Sequence, residues 1–195
     1  MRKLAITVLL LALLLLTACG KEESSPAAEI QRQYGLIATA QMEAEVIYYN
    51  GGEERCFTLQ CDYTPEKSEV MVTAPETVAG VSATVTGEEM TLSYNGESVS
   101  VGDKGAVSPL AALPHLLRAV GSGYVLEEGN ETLGEIPCCR LVVDTTMGGE
   151  AVQCSVWIDE EMLPRYCEFS TDGKTIMSVQ MLAFSCTLQE GNAEE

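Results

Sequence analysis

The segment Ser108–Gly121, SPLAALPHLLRAVG, decides the fold, because it is a clear amphipathic helix among many short strands. Ser108 followed by Pro109 is a typical helix start, since the hydroxyl caps the first turn and the proline ring presets φ. Apolar side chains recur at helical spacing, at Leu113, Leu116, Leu117 and Val120. Pro114 lacks a backbone N–H and predicts a kink. A single apolar helix among strands has to pack on the apolar face of a sheet.

Six short strands are predicted before this helix. Polar and apolar residues alternate from Met42 to Tyr49, and this period of two predicts a strand with one buried face. Turn signals such as Asn50-Gly51-Gly52 and Asn95-Gly96 separate the strands. Strands joined in sequence by tight turns indicate an antiparallel meander. The other five strands are Arg55–Tyr63, Val70–Ala74, Val81–Thr86, Met90–Tyr94 and Ser98–Val101.

Five more strands are predicted after the helix. The last of them, Thr175–Leu188, is apolar on both faces, so it is expected to be covered on both faces or to border a cavity. The other four are Tyr124–Glu128, Cys138–Thr145, Val152–Ile158 and Arg165–Phe169.

The N-terminus predicts an export signal. Arg2-Lys3 precedes an apolar run that ends at Leu16, which is shorter than the roughly 20 residues of a membrane-spanning helix. Leu16-Thr17-Ala18-Cys19 then resembles the lipobox of bacterial lipoproteins, in which the cysteine receives a diacylglyceryl group and the peptide is cut just before it. The resemblance implies a signal peptide at 1–18 and lipidation of Cys19, with acyl chains such as palmitate. The alternative is an ordinary secretory signal with a chance cysteine.

The remaining boundaries follow from composition. Residues 19–29 comprise the lipidated cysteine and GKEESSPAAE, whose small, charged and proline residues predict a flexible tether. Residues 30–188 are expected to form one domain, and residues 189–195 a disordered tail. Two acyl chains hold a protein stably on a bilayer, where one chain would not. We therefore expect the domain to lie at the extracytoplasmic face of the cell membrane.

The chain is strongly acidic, with 29 Asp and Glu residues against 11 Lys and Arg residues and a net charge of −18. Such a surface repels nucleic acid and anionic lipid head groups. We therefore expect no nucleic-acid partner, and we expect membrane contact to come from the anchor.

Seven cysteines follow Cys19, an odd number that leaves at least one unpaired. The spacing of the cysteines matches no zinc site. Buried free thiols in strands are favoured, and a disulfide framework remains the alternative. The cysteines are Cys56, Cys61, Cys138, Cys139, Cys154, Cys167 and Cys186.

No constellation predicts catalysis, a metal site or a cofactor. His115, the single histidine, has no nucleophile motif to accompany it and is expected at the rim of the sheet. Asp159-Glu160-Glu161 lacks the spaced ligands of a calcium loop and predicts a solvated turn. The chain is therefore not expected to be an enzyme.

The order of elements resembles a known superfamily. Together with PETVAG at 75–80, VWID at 156–159 and Leu163-Pro164, it is similar to the LolA and LolB lipoprotein-sorting proteins and to the LprG and LppX lipid-binding lipoproteins. The resemblance implies a mainly β (α+β) fold, with a strongly curved, unclosed antiparallel half-barrel and a helix packed in its concave face. It also implies that the concavity holds an acyl chain.

Ten apolar residues are predicted to line that concavity. Strand methionines fit this role, although ordinary core filling explains them equally well. The ten residues are Met42, Val46, Phe57, Leu59, Leu113, Leu117, Val156, Met177, Val179 and Met181.

Two functions remain open. The first is a membrane-anchored lipoprotein that binds lipid or another apolar ligand in the half-barrel. The second is a protein-interaction or regulatory lipoprotein with a filled core, which forms a dimer or docks on an envelope protein in sporulation, germination or envelope stress. The volume left between helix and sheet discriminates between them.

Overall fold

The computed structural model describes residues 25–87, 89–101 and 107–189. The predicted signal peptide, Cys19 and residues 190–195 of the predicted tail lie outside these ranges. None of the helices in the described ranges has both the length and the apolar character needed to span a bilayer.

Two helices and eleven strands make up the described chain. Helix α1 spans Pro26–Gly35 and helix α2 spans Ala112–Ser122, with a 3₁₀ turn at Pro109–Ala111 before α2. The strands are β1 Ile37–Asn50, β2 Glu53–Tyr63, β3 Ser68–Ala74, β4 Ser82–Thr86, β5 Glu89–Tyr94, β6 Glu97–Ser100, β7 Tyr124–Leu133, β8 Ile136–Met147, β9 Glu150–Asp159, β10 Pro164–Thr171 and β11 Lys174–Leu188.

All eleven strands form one sheet in the order β6-β5-β4-β3-β2-β1-β11-β10-β9-β8-β7. Every neighbouring pair of these strands is antiparallel, and β1 pairs with β11 to join the two halves of the chain. Within the described residues, β6 and β7 each have one neighbour, so the sheet is open at both edges. The predicted mainly β fold, a curved antiparallel sheet that does not close, is confirmed.

The register places one apolar face of the central strands on the core. Val46 of β1 lies opposite Phe57 of β2 and Val179 of β11. Val46 is fully buried and Val179 nearly so, whereas the alternate residue Glu45 is exposed. This is the pattern of period two that the sequence predicted.

The apolar character of both faces of β11 has a different cause from the one expected. The pairing of β1 with β11 shifts between Glu43 and Ala44, and Leu182 is the extra residue. Inward-facing positions therefore change from Met177 and Val179 to Phe184, and Leu182 is 53% exposed. The outward face is covered at Ser178, which is buried, but not at Leu182, and a bulge changes which residues face inward.

Pro114 does not kink α2. The predicted helix divides into the 3₁₀ turn, where the Ser108 hydroxyl accepts a hydrogen bond from the Leu110 N–H, and an α-helix that begins at Ala112. Pro114 then lies in the first turn of the α-helix, where a backbone N–H has no intrahelical partner, so its absence leaves the helix intact.

Helix α1 was not expected. It begins at Pro26, inside the segment predicted as tether, and the Ser25 side chain accepts a hydrogen bond from the Ala28 N–H (3.2 Å). Its buried face holds the helix on the domain, because Ile30 and Tyr34 are almost fully covered. Residues 26–29 are therefore helical.

Tyr34 connects α1 to distant parts of the sheet. Its hydroxyl donates to the Met162 carbonyl (3.0 Å), and its ring stacks on Phe184 at a centroid distance of 6.5 Å. Helix α1 also packs on α2, where a Cβ at Gly121 would lie only 3.0 Å from the Gly35 nitrogen. The two helices thus form one layer over the concave side of the sheet.

Candidate functional site

Helix α2 fills the concave face. Its apolar stripe is almost fully buried, with exposures of 0–2% at Leu113, Leu116, Leu117 and Val120. The helix therefore packs into the half-barrel as predicted, and its side chains occupy the middle of the cup.

The ten residues predicted to line a ligand cavity all belong to this core or pack against it. Eight are buried, and Phe57 and Met181 are half-buried beside them. The structure thus brings the ten together around α2, while their role as ligand contacts stays a prediction.

A small apolar cavity lies where the 3₁₀ turn meets β2 and β3. It has a volume of about 160 Å³, is partly open to solvent and has no polar lining. We call it the Phe57 cavity, and its lining residues are Phe57, Leu59, Val72, Val78, Val81, Pro109 and Leu110. Only Phe57 and Leu59 were among the predicted lining residues. Val78 and Val81 come from the PETVAG segment and its flank, where a broken strand pattern gave no sign of which way the side chains turn.

The size of the Phe57 cavity limits what it holds. Pockets for drug-sized ligands have volumes of about 300–1,000 Å³. An apolar cavity of about 150 Å³ is nevertheless large enough for benzene. As it stands, the Phe57 cavity accommodates a small apolar group or the end of an alkyl chain, and a whole chain needs α2 to move.

His115 lies inside the domain and not at the rim of the sheet, which corrects the prediction. Only 7% of it is exposed, and its Nε2 atom has no hydrogen-bond partner in the described structure. Burial lowers the pKa of His115 to about 4, and the positive charge of Arg118 adds to this effect. The side chain is therefore neutral near pH 7, and no nucleophile motif accompanies it, so it carries no sign of catalysis.

We expect His115 to make stability depend on pH between 6.5 and 4. In this range the unfolded chain binds a proton at the imidazole and the folded chain does not, so the free energy of unfolding falls as the pH falls, by about 1.4 kcal/mol per pH unit. Above pH 6.5 both states are neutral and the contribution vanishes. Urea titrations of the wild type and of His115→Gln test this, because the difference between their stabilities should change with pH only below 6.5. A constant difference from pH 8 to pH 4.5 would contradict it.

Arg118 attaches α2 to the N-terminal half of the sheet. Its guanidinium NH1 group donates to the carbonyl of Gly87, in the turn between β4 and β5, at 2.6 Å. Since Leu110, just before α2, and Val120, near its end, pack on the core, this bond adds a polar restraint to an apolar contact. Moving this part of α2 away from the turn would break the bond.

Glu160 and Glu161 lie in an exposed turn, as predicted, but Asp159 is a buried structural residue, which corrects the prediction at that position. It is 8% exposed and accepts hydrogen bonds from the backbone N–H groups of Glu161 and Leu163, both at 2.9 Å. The Arg165 Nε also donates to it, at 2.6 Å. Its carboxylate therefore organises the turn between β9 and β10. Among the described residues no group of three or more His, Cys, Asp or Glu side chains could hold a metal ion.

All seven cysteines of the described chain are free thiols. Cys154 and Cys167 are both fully buried on neighbouring strands, but Cys154 lies opposite Phe169, and Cys167 lies opposite Val156. Such a diagonal pair has Cα atoms about 7–8 Å apart, beyond the usual reach of a disulfide. Burial raises the pKa of Cys167 and keeps it protonated.

This chain is similar to known proteins in fold but not in sequence. No protein-family model matches the chain, and no curated protein matches it in sequence. An uncharacterised conserved protein from Thermus thermophilus superposes with a TM-score of 0.52 at 15% identity, covering 84% of this chain and 89% of that one.

Structures of the superfamily named from the sequence are also similar. A LolA superfamily protein from Nitrosomonas europaea has a TM-score of 0.48 at 11% identity, covering 84% of this chain and 94% of its own. The Mycobacterium tuberculosis lipoprotein LppX has a TM-score of 0.43 at 14% identity, covering 84% and 95%. At identities this low, the likenesses concern the fold alone.

Proposed function

We propose that this chain is an extracytoplasmic lipoprotein, anchored through Cys19, that binds the apolar part of a lipid between its half-barrel and α2. The lipobox supports the anchor, and the fold supports a cup with an apolar interior. The protein has no catalytic role in this proposal.

The observation that carries the proposal is the Phe57 cavity. An apolar cavity without polar lining offers no hydrogen bonds to water, so filling it with an alkyl group is favourable. The 3₁₀ turn at Pro109–Ala111 forms one wall and leads into α2. A longer chain would therefore enter by displacing the 3₁₀ turn and the start of α2, and the buried side chains of Leu110 and Leu113 would have to move.

The filled core favours a second candidate function. With Leu113, Leu116, Leu117 and Val120 buried in the cup, the cavity that remains is below the range of ordinary ligand pockets. A lipoprotein that docks on an envelope protein needs no larger cavity, and this is the alternative that the sequence left open.

Photo-crosslinking separates the two. The full-length lipoprotein would be reconstituted in phosphatidylcholine vesicles that contain a phosphatidylcholine with a diazirine on the acyl chain, and crosslinked peptides would be mapped by mass spectrometry. We expect crosslinks in the peptides that contain Phe57 and Leu110, and at least a fivefold loss in Leu110→Trp, whose indole occupies the cavity.

Leu126→Trp is the matched control, because Leu126 is 45% exposed on β7 and does not line the cavity. It should crosslink like the wild type. Equal crosslinking of both variants, or crosslinks confined to the N-terminal peptide, would favour the docking function over lipid binding.

A further inference from the structure

We propose that a second groove, at the N-terminus of α1, binds a lipid whose head group carries a primary ammonium group. The inference rests on the proposed function, whose anchor holds the protein at the membrane, and it adds a second, separate site with a defined ligand class. The N-terminal groove lies between α1, the end of the β7–β8 hairpin and the turn between β9 and β10, and has a volume of about 470 Å³.

The floor of the N-terminal groove is apolar. Ile30 of α1 and Ile158 of β9 are almost fully buried there, and Met162 and the Cys139 thiol are half-buried beside them. The groove is about three times larger than the Phe57 cavity and falls within the volume range of ligand pockets. Several methylenes of an alkyl chain therefore fit on this floor without movement of α2.

The rim of the same groove is acidic. Glu29, Glu131 and Glu160 border it, with Asp159 below them. Arg32 pairs with Glu29 at 2.6 Å, and hydrogen bonds from Arg32 and Gln33 lower the pKa of Glu29 to about 2, so this carboxylate stays ionised.

The carboxylates of the rim outnumber the cations that pair with them. Arg165 pairs with Asp159 at 2.6 Å, and Arg140 lies 3.8 Å from Glu131. Glu160 is exposed, and no salt bridge to it occurs among the described residues. An ammonium group that donates hydrogen bonds to carboxylates complements this rim, whereas an anionic head group is repelled.

The position of the groove brings it to the lipid. Pro26 is itself a lining residue, and the chain from Cys19 to Ser25 spans at most about 20 Å when fully extended. If Cys19 carries the anchor, the groove is held within that distance of the bilayer surface. A membrane lipid is thus the ligand most concentrated around it.

The Cys139 thiol reports on occupancy without any mutation. The full-length lipoprotein would be placed in vesicles of phosphatidylcholine alone, or with 30 mol% phosphatidylethanolamine or phosphatidylglycerol, and alkylation by N-ethylmaleimide would be followed at each cysteine by mass spectrometry. We expect phosphatidylethanolamine to slow alkylation of Cys139 at least threefold. Phosphatidylglycerol should have no such effect, and the exposed Cys56 should react equally in all three.

Charge reversal sharpens the test. Glu160→Lys should abolish the protection by phosphatidylethanolamine, and Glu150→Lys, at the opposite end of β9, should retain it. Equal protection by phosphatidylglycerol, or protection that survives Glu160→Lys, would overturn the proposal.

This test fails separately from that of the proposed function. Crosslinking at Phe57 and Leu110 together with an unprotected Cys139 would support lipid binding in the cup and contradict lipid binding in the N-terminal groove. Protection of Cys139 without crosslinks at Phe57 and Leu110 would support lipid binding in the N-terminal groove and contradict lipid binding in the cup.

Discussion

Replacing Gly123 by alanine is expected to lower the free energy of unfolding by about 3 kcal/mol, as strong overpacking of an interior does. Gly123 ends α2, and its N–H donates to the Ala119 carbonyl at 2.8 Å. A Cβ at this position would lie 2.3 Å from Cγ1 of Val143 and 2.6 Å from the Ala119 oxygen. Val143 is fully buried and the carbonyl is held in the helix, so neither can move away freely.

Urea unfolding at pH 7 measures this loss, and Gly129→Ala is the matched control. Gly129 lies in the middle of β7, and a Cβ there would meet no heavy atom within 4 Å. The control should stay within about 0.5 kcal/mol of the wild type. If the two alanine variants were equally stable, α2 would not be seated against β8 as the structure places it.

Leu113→Ala is expected to cost about 3–4 kcal/mol of stability and at the same time to enlarge the space under α2. Leu113 is fully buried in the cup, and truncating such a leucine removes apolar contacts and leaves a cavity. The same urea titration measures the stability. Crosslinking to the diazirine lipid should rise in this variant, because the cup gains room next to the Phe57 cavity.

Leu126→Ala is the control for this second experiment, since Leu126 is 45% exposed on β7. It should change neither stability nor crosslinking appreciably. A destabilised Leu113→Ala protein with unchanged crosslinking would indicate that lipid does not enter beneath α2, which would favour the docking function.

The strands and α2 could be predicted from the sequence because each buries one regular face. Period-two alternation located β1 and its neighbours, and the helical spacing of Leu113, Leu116 and Leu117 located α2. The β7–β8 hairpin is longer than predicted, because its turn at Gly134 separates short segments of weak periodicity.

Helix α1 could not be predicted from composition. Only Ala27, Ile30 and Tyr34 are buried along its ten residues, so its apolar face is too sparse to stand out from a tether. Tertiary contacts hold it, above all those of Tyr34 with Met162 and Phe184. Isolated helices of this length are marginal in water, and their stability comes from packing.

The candidate site was only partly accessible to sequence reasoning. Strand residues such as Phe57 and Leu59 were placed correctly on the core face, since alternation fixes the direction of their side chains. Val78, Val81 and Leu110 were missed because the structure places them in a loop and a 3₁₀ turn, although Val81 was predicted to begin a strand and Leu110 to lie in the helix. The acidic rim of the N-terminal groove could not be predicted either, because it depends on α1, which the sequence did not indicate.

Native mass spectrometry of the full-length protein, extracted from its own membranes in a mild detergent, tests the account most directly. We expect a mature chain that begins at a diacylglyceryl-modified Cys19 and carries one additional lipid that is released on activation in the gas phase. A chain with an unmodified N-terminus, or a lipidated chain without any bound lipid, would contradict the claim that a tethered half-barrel holds lipid at the membrane surface.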